Sequence, residues 1–249
     1  MNEVLKEILQ TNEVQDENGM VYKLHSHTNA NQGLELQRII NQLKPAITLE
    51  IGLAYGISSL FILEALKKNN GKKHFIIEPF PDIYWNNIGL NNIKKAGYFD
   101  LIDFRKDFSY NVLPKLHYEN ERIDFAYIDT TKVFDIVLTD FFFIDKLLNV
   151  EGVVVFDDVT FPGIRKIARF LCKNPNYKIV LQHHKDKKSL RLRILNQMQR
   201  LLVNLIPFKD RYSSDISFES DEELGIDYHC LGFKKISEDL RNWDWFERF

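Results

Sequence analysis

From about residue 46 onward, short apolar runs bounded by turn residues alternate with segments whose apolar positions recur every three or four residues. The short runs predict strands at 46–51, 73–78, 98–105, 123–129, 152–157, 177–182 and 226–234. Among the helical segments, the clearest places Phe134, Val137, Phe141, Ile144 and Leu148 on one stripe, with Asp135, Asp140, Asp145 and Lys146 off it. A further helix over 32–43 precedes the first strand and stops before Pro45. Strands alternating with helices in this way predict an open α/β sheet.

Two regions break the alternation. Residues 1–31 hold a short amphipathic stretch, Val4 to Leu9, then a polar segment ending in Leu24-His25-Ser26-His27-Thr28, which reads as a cap across the sheet's edge or its ligand side. Residues 184–224 run from a basic half to an acidic half. In the basic half, Leu190, Ile194, Leu195, Met198, Leu201, Leu202 and Leu205 repeat at helical spacing. That pattern fits a helix or helical pair packed on its own domain or on a second subunit, with a lid over the substrate or an anionic-membrane contact as other readings. The tail Trp243-Asp244-Trp245-Phe246 is expected to dock on the body. The chain thus divides into a helical cap (1–44), a main domain (45–183 plus 225–236), an insertion or lid (184–224) and a tail (237–249). The last two are candidate homodimer surfaces.

Composition narrows the class. A hydrophobic fraction of 45% in 249 residues is ample for a buried core. Thirty-three Lys plus Arg against thirty-five Asp plus Glu leave no basic field for a phosphate backbone, so nucleic acid is not an expected partner. The longest apolar runs, such as Val153-Val154-Val155-Phe156, fall far short of the roughly 18 residues that span a bilayer. No transmembrane segment is expected. The start Met1-Asn2-Glu3 lacks the marks of a secretory signal, and two cysteines without metal-ligand spacing suit a reducing compartment, so a cytoplasmic location is expected.

The chemistry concentrates at strand ends. The first strand runs into Leu49-Glu50-Ile51-Gly52-Leu53-Ala54-Tyr55-Gly56-Ile57-Ser58, with glycines where a strand turns into a helix and a ligand can touch backbone. The dinucleotide fingerprint G-x-G-x-x-G is not met, because Ala54 and Ile57 stand at its second and third glycine positions, and a nicotinamide cofactor is disfavoured. The segment resembles the first motif of class I S-adenosylmethionine-dependent methyltransferases, E/D-x-G-x-x-x-G. The resemblance implies a Rossmann-like seven-stranded sheet, mostly parallel with an antiparallel last strand, helices on both faces and a helical insertion between the last two strands. It also implies that Glu50 accepts from the cofactor's ammonium, directly or through water, while Gly52, Ala54, Tyr55, Gly56 and Ser58 surround its amino-acid portion. Glu78, ending the second strand, would bind the ribose diol. Ser109, in Lys106-Asp107-Phe108-Ser109, sits where the family commonly has G-x-S beside the adenine. Simpler readings make Glu50 a strand-end salt bridge and Glu78 a solvated loop acid.

The fourth and fifth strands end in carboxylates, Asp129 and then Asp157-Asp158. If the strands are parallel, all three face one crevice, where mutual repulsion calls for a cation, and an all-oxygen set suits Mg2+, Mn2+ or Ca2+. Here the resemblance sharpens toward the catechol O-methyltransferase-like branch and related small bacterial methyltransferases. That branch has an Asp after strand four, a Lys three residues later, and an Asp-Asn pair after strand five. Asp129, Lys132 and Asp157 match at the same spacings, with Asp158 in place of Asn. The resemblance implies a divalent metal on Asp129, Asp157 and Asp158, Asp129 beside the cofactor, and Lys132 with Asp129 as catalytic groups. Other relatives carry I-D-G-x-H, from which Thr130-Thr131-Lys132 departs. In the simpler readings Asp129, Asp158 or Thr160 caps a helix and Lys132 is solvated. His25 or His27 is an alternative base; His183-His184 lacks a third ligand, and His229 reads as core or edge. The expected activity is methyl transfer to a hydroxyl of a small molecule, a phenol or a sugar, with divalent metal assistance. Alternatives are a metal-independent N- or O-methyltransferase and a degenerate cofactor-binding interaction protein.

Overall fold

The computed structural model describes residues 1–185 and 219–244. Seven strands form one sheet: β3 (Ile47–Ile51), β4 (Lys73–Ile77), β5 (Ile102–Arg105), β6 (Ile123–Ile128), β7 (Leu148–Phe156), β8 (Tyr177–Lys185) and β9 (Tyr228–Lys235). Their order is β5-β4-β3-β6-β7-β9-β8. The first five in that order pair in parallel, and β9 lies antiparallel between β7 and β8. Two short strands, β1 (Glu13–Gln15) and β2 (Val21–Lys23), form a separate hairpin that the sequence pattern does not announce.

Both faces of the sheet are covered, which is why the central strands are apolar at nearly every position. On one face Leu49, Ile51, Phe75, Ile77, Ala126, Ile128, Val154 and Phe156 meet α5 (Ser109–Tyr118), α6 (Phe134–Leu147) and α7 (Pro162–Lys173). On the other, Phe125, Tyr127, Val153 and Val155 meet α2 (Ala30–Leu43) and α3 (Ile57–Lys68). The side chains of α1 (Glu3–Thr11) and α4 (Ile88–Lys95) extend that second layer around Phe61 and Ile76. The strand period of two therefore divides each strand between two separate cores.

Four expectations are corrected. The third strand begins at Ile102 rather than 98, because Phe99–Leu101 closes into a 3-10 turn in which the Leu101 N–H donates to the Tyr98 carbonyl. The fifth strand starts earlier, at Leu148, where that residue pairs with Ile123. Asp140 and Asp145, off the apolar stripe of α6, are nevertheless buried, since neighbouring elements cover the helix beyond that stripe. Trp243 is 92% exposed instead of docked, and the tail touches the body through Arg241, whose guanidinium lies 5.8 Å from the Phe170 ring centre. Most of the expected insertion, the apolar repeat from Leu190 to Leu205 included, and the tail residues Trp245 and Phe246 lie outside the described residues. Among the described residues no helix is long and apolar enough to cross a membrane.

Candidate functional site

Strand order reverses between β3 and β6: the chain proceeds from β3 outward through β4 to β5, then returns to lay β6 and β7 on the other side. Ligands of open α/β sheets bind beyond the carboxyl ends of strands at such a point. The ladder continues one residue past the strands there. The N–H groups of Glu78, Gly52, Asp129 and Asp157 donate to the carbonyls of Arg105, Ile77, Ile51 and Ile128, at 2.9 to 3.1 Å. Four of the residues singled out from sequence thus stand side by side, on β4, β3, β6 and β7, across three strand spacings or about 14 Å.

Gly52 has φ +96°, and a Cβ there would stand 2.0 Å from the Asp129 carbonyl oxygen, so only glycine lets the bend pass the end of β6. Ala54 takes φ +45° in the same turn, and Gly56 caps α3 with φ +75°. Leu53 and Tyr55 turn inward, while Gly52 and Ala54 keep part of their surface open, so no large side chain fills the bend. The close approach of α4 to the loop depends on Gly89, whose added Cβ would lie 2.6 Å from the Ala54 carbonyl oxygen. Asn92 on the same helix donates to the Tyr55 carbonyl at 3.0 Å. Ser58 is buried in the first turn of α3.

The two glutamates share a face of the sheet, since Glu50 pairs with Ile76 and Glu78 lies two residues beyond. Glu78 accepts from the Leu53 N–H at 3.1 Å and the Phe80 N–H at 3.0 Å, clamping the glycine loop to the end of β4. Glu50 is fully buried; its Oε2 accepts from the Ser59 hydroxyl and faces His74 Nε2 at 3.2 Å. Its Oε1 is buried with no partner among the described residues. Ser109 opens α5 and is buried beside the ends of β4 and β5, where Phe80, Tyr84, Phe108 and Tyr110 form a half-open aromatic strip with ring centres 5.0 to 5.4 Å apart.

At β6 and β7 the expected metal ligands are arranged around a lysine. Lys132 Nζ donates to Asp129 Oδ1 and stands 2.9 Å from it and 2.9 Å from Asp158 Oδ2. Asp157 is turned elsewhere: Oδ2 accepts from the Tyr127 hydroxyl at 2.9 Å, and Oδ1 accepts from the Asp158 N–H at 2.8 Å. Among the described residues no group of three acidic, histidine or cysteine side chains is disposed to hold a metal ion. The carboxylates present do not fit the divalent ion that the resemblance implies, because they converge on an ammonium nitrogen. Burial lowers the pKa of Lys132, but Asp129 and Asp158 more than offset it, and the net shift is upward. A lysine base needs the opposite. Burial and then Asp157 push the Asp129 carboxyl upward, against the Lys132 ammonium.

Several contacts of this cleft could not be read from the motifs. Tyr127 is completely buried and accepts from Gln32 Nε2 at 3.0 Å while donating to Asp157, a chain from α2 to the acidic pair. His25 bonds the Tyr55 hydroxyl at 2.7 Å, and Trp85 packs against both rings, so the N-terminal segment crosses the glycine loop. The rings of His184 and His229 approach to 4.8 Å, with His183 alongside at 6.3 Å, at the carboxyl end of β8. Burial lowers the pKa of His183, and Glu35 and Asp157 are near enough to oppose it. Pairing of His183 with Cys230 across β8 and β9 brings the trio together, and no local sequence pattern encodes that.

Residues 49–159 match the family described as a methyltransferase domain. No curated protein sequence matches the chain. Among solved structures, it resembles an O-methyltransferase from Bacillus cereus in complex with S-adenosylhomocysteine, at 22% identity, covering 74% of this chain and 86% of that one, TM-score 0.60. It also resembles the O-methyltransferase TomG from Streptomyces achromogenes, involved in tomaymycin synthesis and in complex with S-adenosylmethionine (21% identity, 74% and 84%, TM-score 0.59). A third likeness is the S-adenosylhomocysteine-bound methyltransferase PaMTH1 from Podospora anserina (18% identity, 73% and 83%, TM-score 0.57). At these identities the likeness is one of fold. The segment that matches the methyltransferase-domain family contains Glu50, Gly52, Glu78, Asp129 and Asp157, the row of strand ends that lines the cleft.

Proposed function

We infer that the chain is an S-adenosylmethionine-dependent O-methyltransferase acting on a hydroxyl of a small molecule, a phenol or a sugar. The observation that carries this reading is the row of strand ends at the switch point, with an open glycine bend between a buried carboxylate at one end and a charged acid–lysine cluster at the other. The S-adenosylmethionine or S-adenosylhomocysteine bound in structural neighbours supports it. When bound, S-adenosylmethionine supplies a methyl group on a sulfonium: the S–CH3 bond breaks as the O–CH3 bond forms, and S-adenosylhomocysteine leaves.

In this reading Glu78 receives the ribose diol, its oxygens keeping lone pairs beyond those bonded to Leu53 and Phe80. Gly52, Ala54, Tyr55 and Gly56 receive the amino-acid portion through backbone, Glu50 orders the water beneath it and the first turn of α3, and Ser58 stands in that turn. Ser109 and the aromatic strip at Phe80 and Phe108 take the adenine. Asp129, between the glycine bend and the acidic pair, accepts the hydroxyl proton of the acceptor on Oδ2 while Lys132 holds Oδ1. The fixed row of groups supplies proximity and orientation to a donor that is already activated.

The test is transfer of a labelled methyl group from S-adenosylmethionine to a mixed library of phenols and sugars. Labelled methyl ethers are the expected product. S-adenosylhomocysteine binding without transfer to any acceptor, or products methylated on nitrogen alone, would contradict the O-methyltransferase assignment.

A further inference from the structure

We propose that Lys132 is the resident cation of this site, standing where a divalent metal would otherwise bind, so that the acceptor is engaged through a single oxygen and no metal takes part. The inference rests on the methyl-transfer reading above and deepens it.

A divalent ion would need several oxygens converging at about 2.0–2.6 Å. Here two carboxylates converge on Nζ instead, at 2.9 Å each. Asp158, the position where the resembling branch has Asn, is what makes this arrangement two-sided: an amide there could not pair electrostatically with the ammonium. The third carboxylate is withdrawn, with each oxygen of Asp157 bonded to Tyr127 or to the Asp158 N–H. The backbone of Lys132 is equally constrained. Gly163 in the first turn of α7 packs so closely that an added Cβ would lie 2.6 Å from the Lys132 carbonyl oxygen. The loop carrying the lysine is therefore held between the end of β6 and the start of α7.

An ammonium has three N–H donors, and two are directed at Asp129 and Asp158. The third is left for the acceptor, since 23% of the Lys132 side chain remains exposed. A metal with two open positions chelates neighbouring oxygens; one spare N–H holds one. The site accordingly takes an acceptor with an isolated hydroxyl as readily as one with a vicinal pair.

The experiment is titration of the full chain with MnCl2, read by the loss of the free-ion electron paramagnetic resonance signal, for wild type, Lys132→Met and Lys132→Gln. Wild type is expected to take up no more Mn2+ than a buffer blank, and the variants to bind it at least about tenfold more tightly, because removing the ammonium leaves uncompensated carboxylates. Adding Asp129→Asn to either variant should abolish the gain. Micromolar Mn2+ binding by wild type, or no gain in variants that retain a cooperative melting transition, would overturn the proposal. Calorimetry with S-adenosylhomocysteine on the same preparations reads the underlying assignment separately: absence of binding there, beside the expected Mn2+ pattern, would remove the methyl-transfer reading alone.

Discussion

At the residue scale, the bend from Gly52 to Gly56 is defined by what it must avoid. Its first glycine is required by protein as much as by ligand, since a side chain at Gly52 would collide with the backbone of Asp129. Gly52→Ala should therefore cost at least about 2 kcal/mol, from a forbidden φ together with displacement of the end of β6. Urea unfolding measures it. Ala54→Gly is the control: Ala54 already sits at φ +45°, so losing its Cβ relaxes strain, and stability should stay within about 1 kcal/mol of wild type. The motif residues Glu50, Gly52 and Glu78 were legible because strand ends and glycine turns leave a local signature. The pairing of Lys132 with Asp158 was not, because the two residues come from different strand ends and nothing in the spacing states which side chain fills the space between carboxylates.

At the element scale, helix α6 shows how a periodic pattern under-reports burial. Its apolar stripe marks the face toward the sheet, and Val137, Phe141 and Ile144 are buried as expected, yet Asp140 and Asp145 are covered from the sides. Asp145 is accommodated by the Tyr177 hydroxyl at 2.7 Å. Neither carboxylate oxygen of Asp140 has a hydrogen-bond partner among the described residues, and burial raises its pKa to about 6. The folded state thus holds a proton that the unfolded chain releases nearer pH 4. The resulting stability is fully present below about pH 4 and is lost as pH rises toward 6. Asp140→Asn removes that dependence, so between pH 4 and 7 the variant should gain about 3 kcal/mol on wild type, at about 1.36 kcal/mol per pH unit across the window. Unfolding at both ends of the range checks it; parallel curves would mean that Asp140 is ionised in the fold. The end of the same helix depends on Lys235, whose buried ammonium donates to the carbonyls of Asp145 at 2.8 Å and Leu148 at 3.1 Å and pairs with Glu238 at 2.8 Å. Lys235→Met should lower stability by about 3 kcal/mol with an unchanged denaturant slope.

At the scale of the whole molecule, the sheet order turns scattered strand-end residues into one row. Alternation of strands and helices predicted the α/β architecture, whereas the sequence neighbours of each strand end gave no sign of the cross-sheet contacts. The Gln32–Tyr127–Asp157 chain joins α2, β6 and β7, and the His25–Tyr55 contact folds the N-terminal segment over the glycine loop; both depend on topology that only the assembled sheet defines. In the proposed function the row divides labour, with Glu78 on the nucleoside side and Asp157 on the acceptor side. Calorimetric titration with S-adenosylhomocysteine of wild type, Glu78→Ala and Asp157→Ala tests that account most directly. It predicts binding by wild type, a loss of about tenfold or more in Glu78→Ala from the missing charged hydrogen bonds, and nearly unchanged affinity in Asp157→Ala. Equal losses in the two variants, or no binding by wild type, would contradict it.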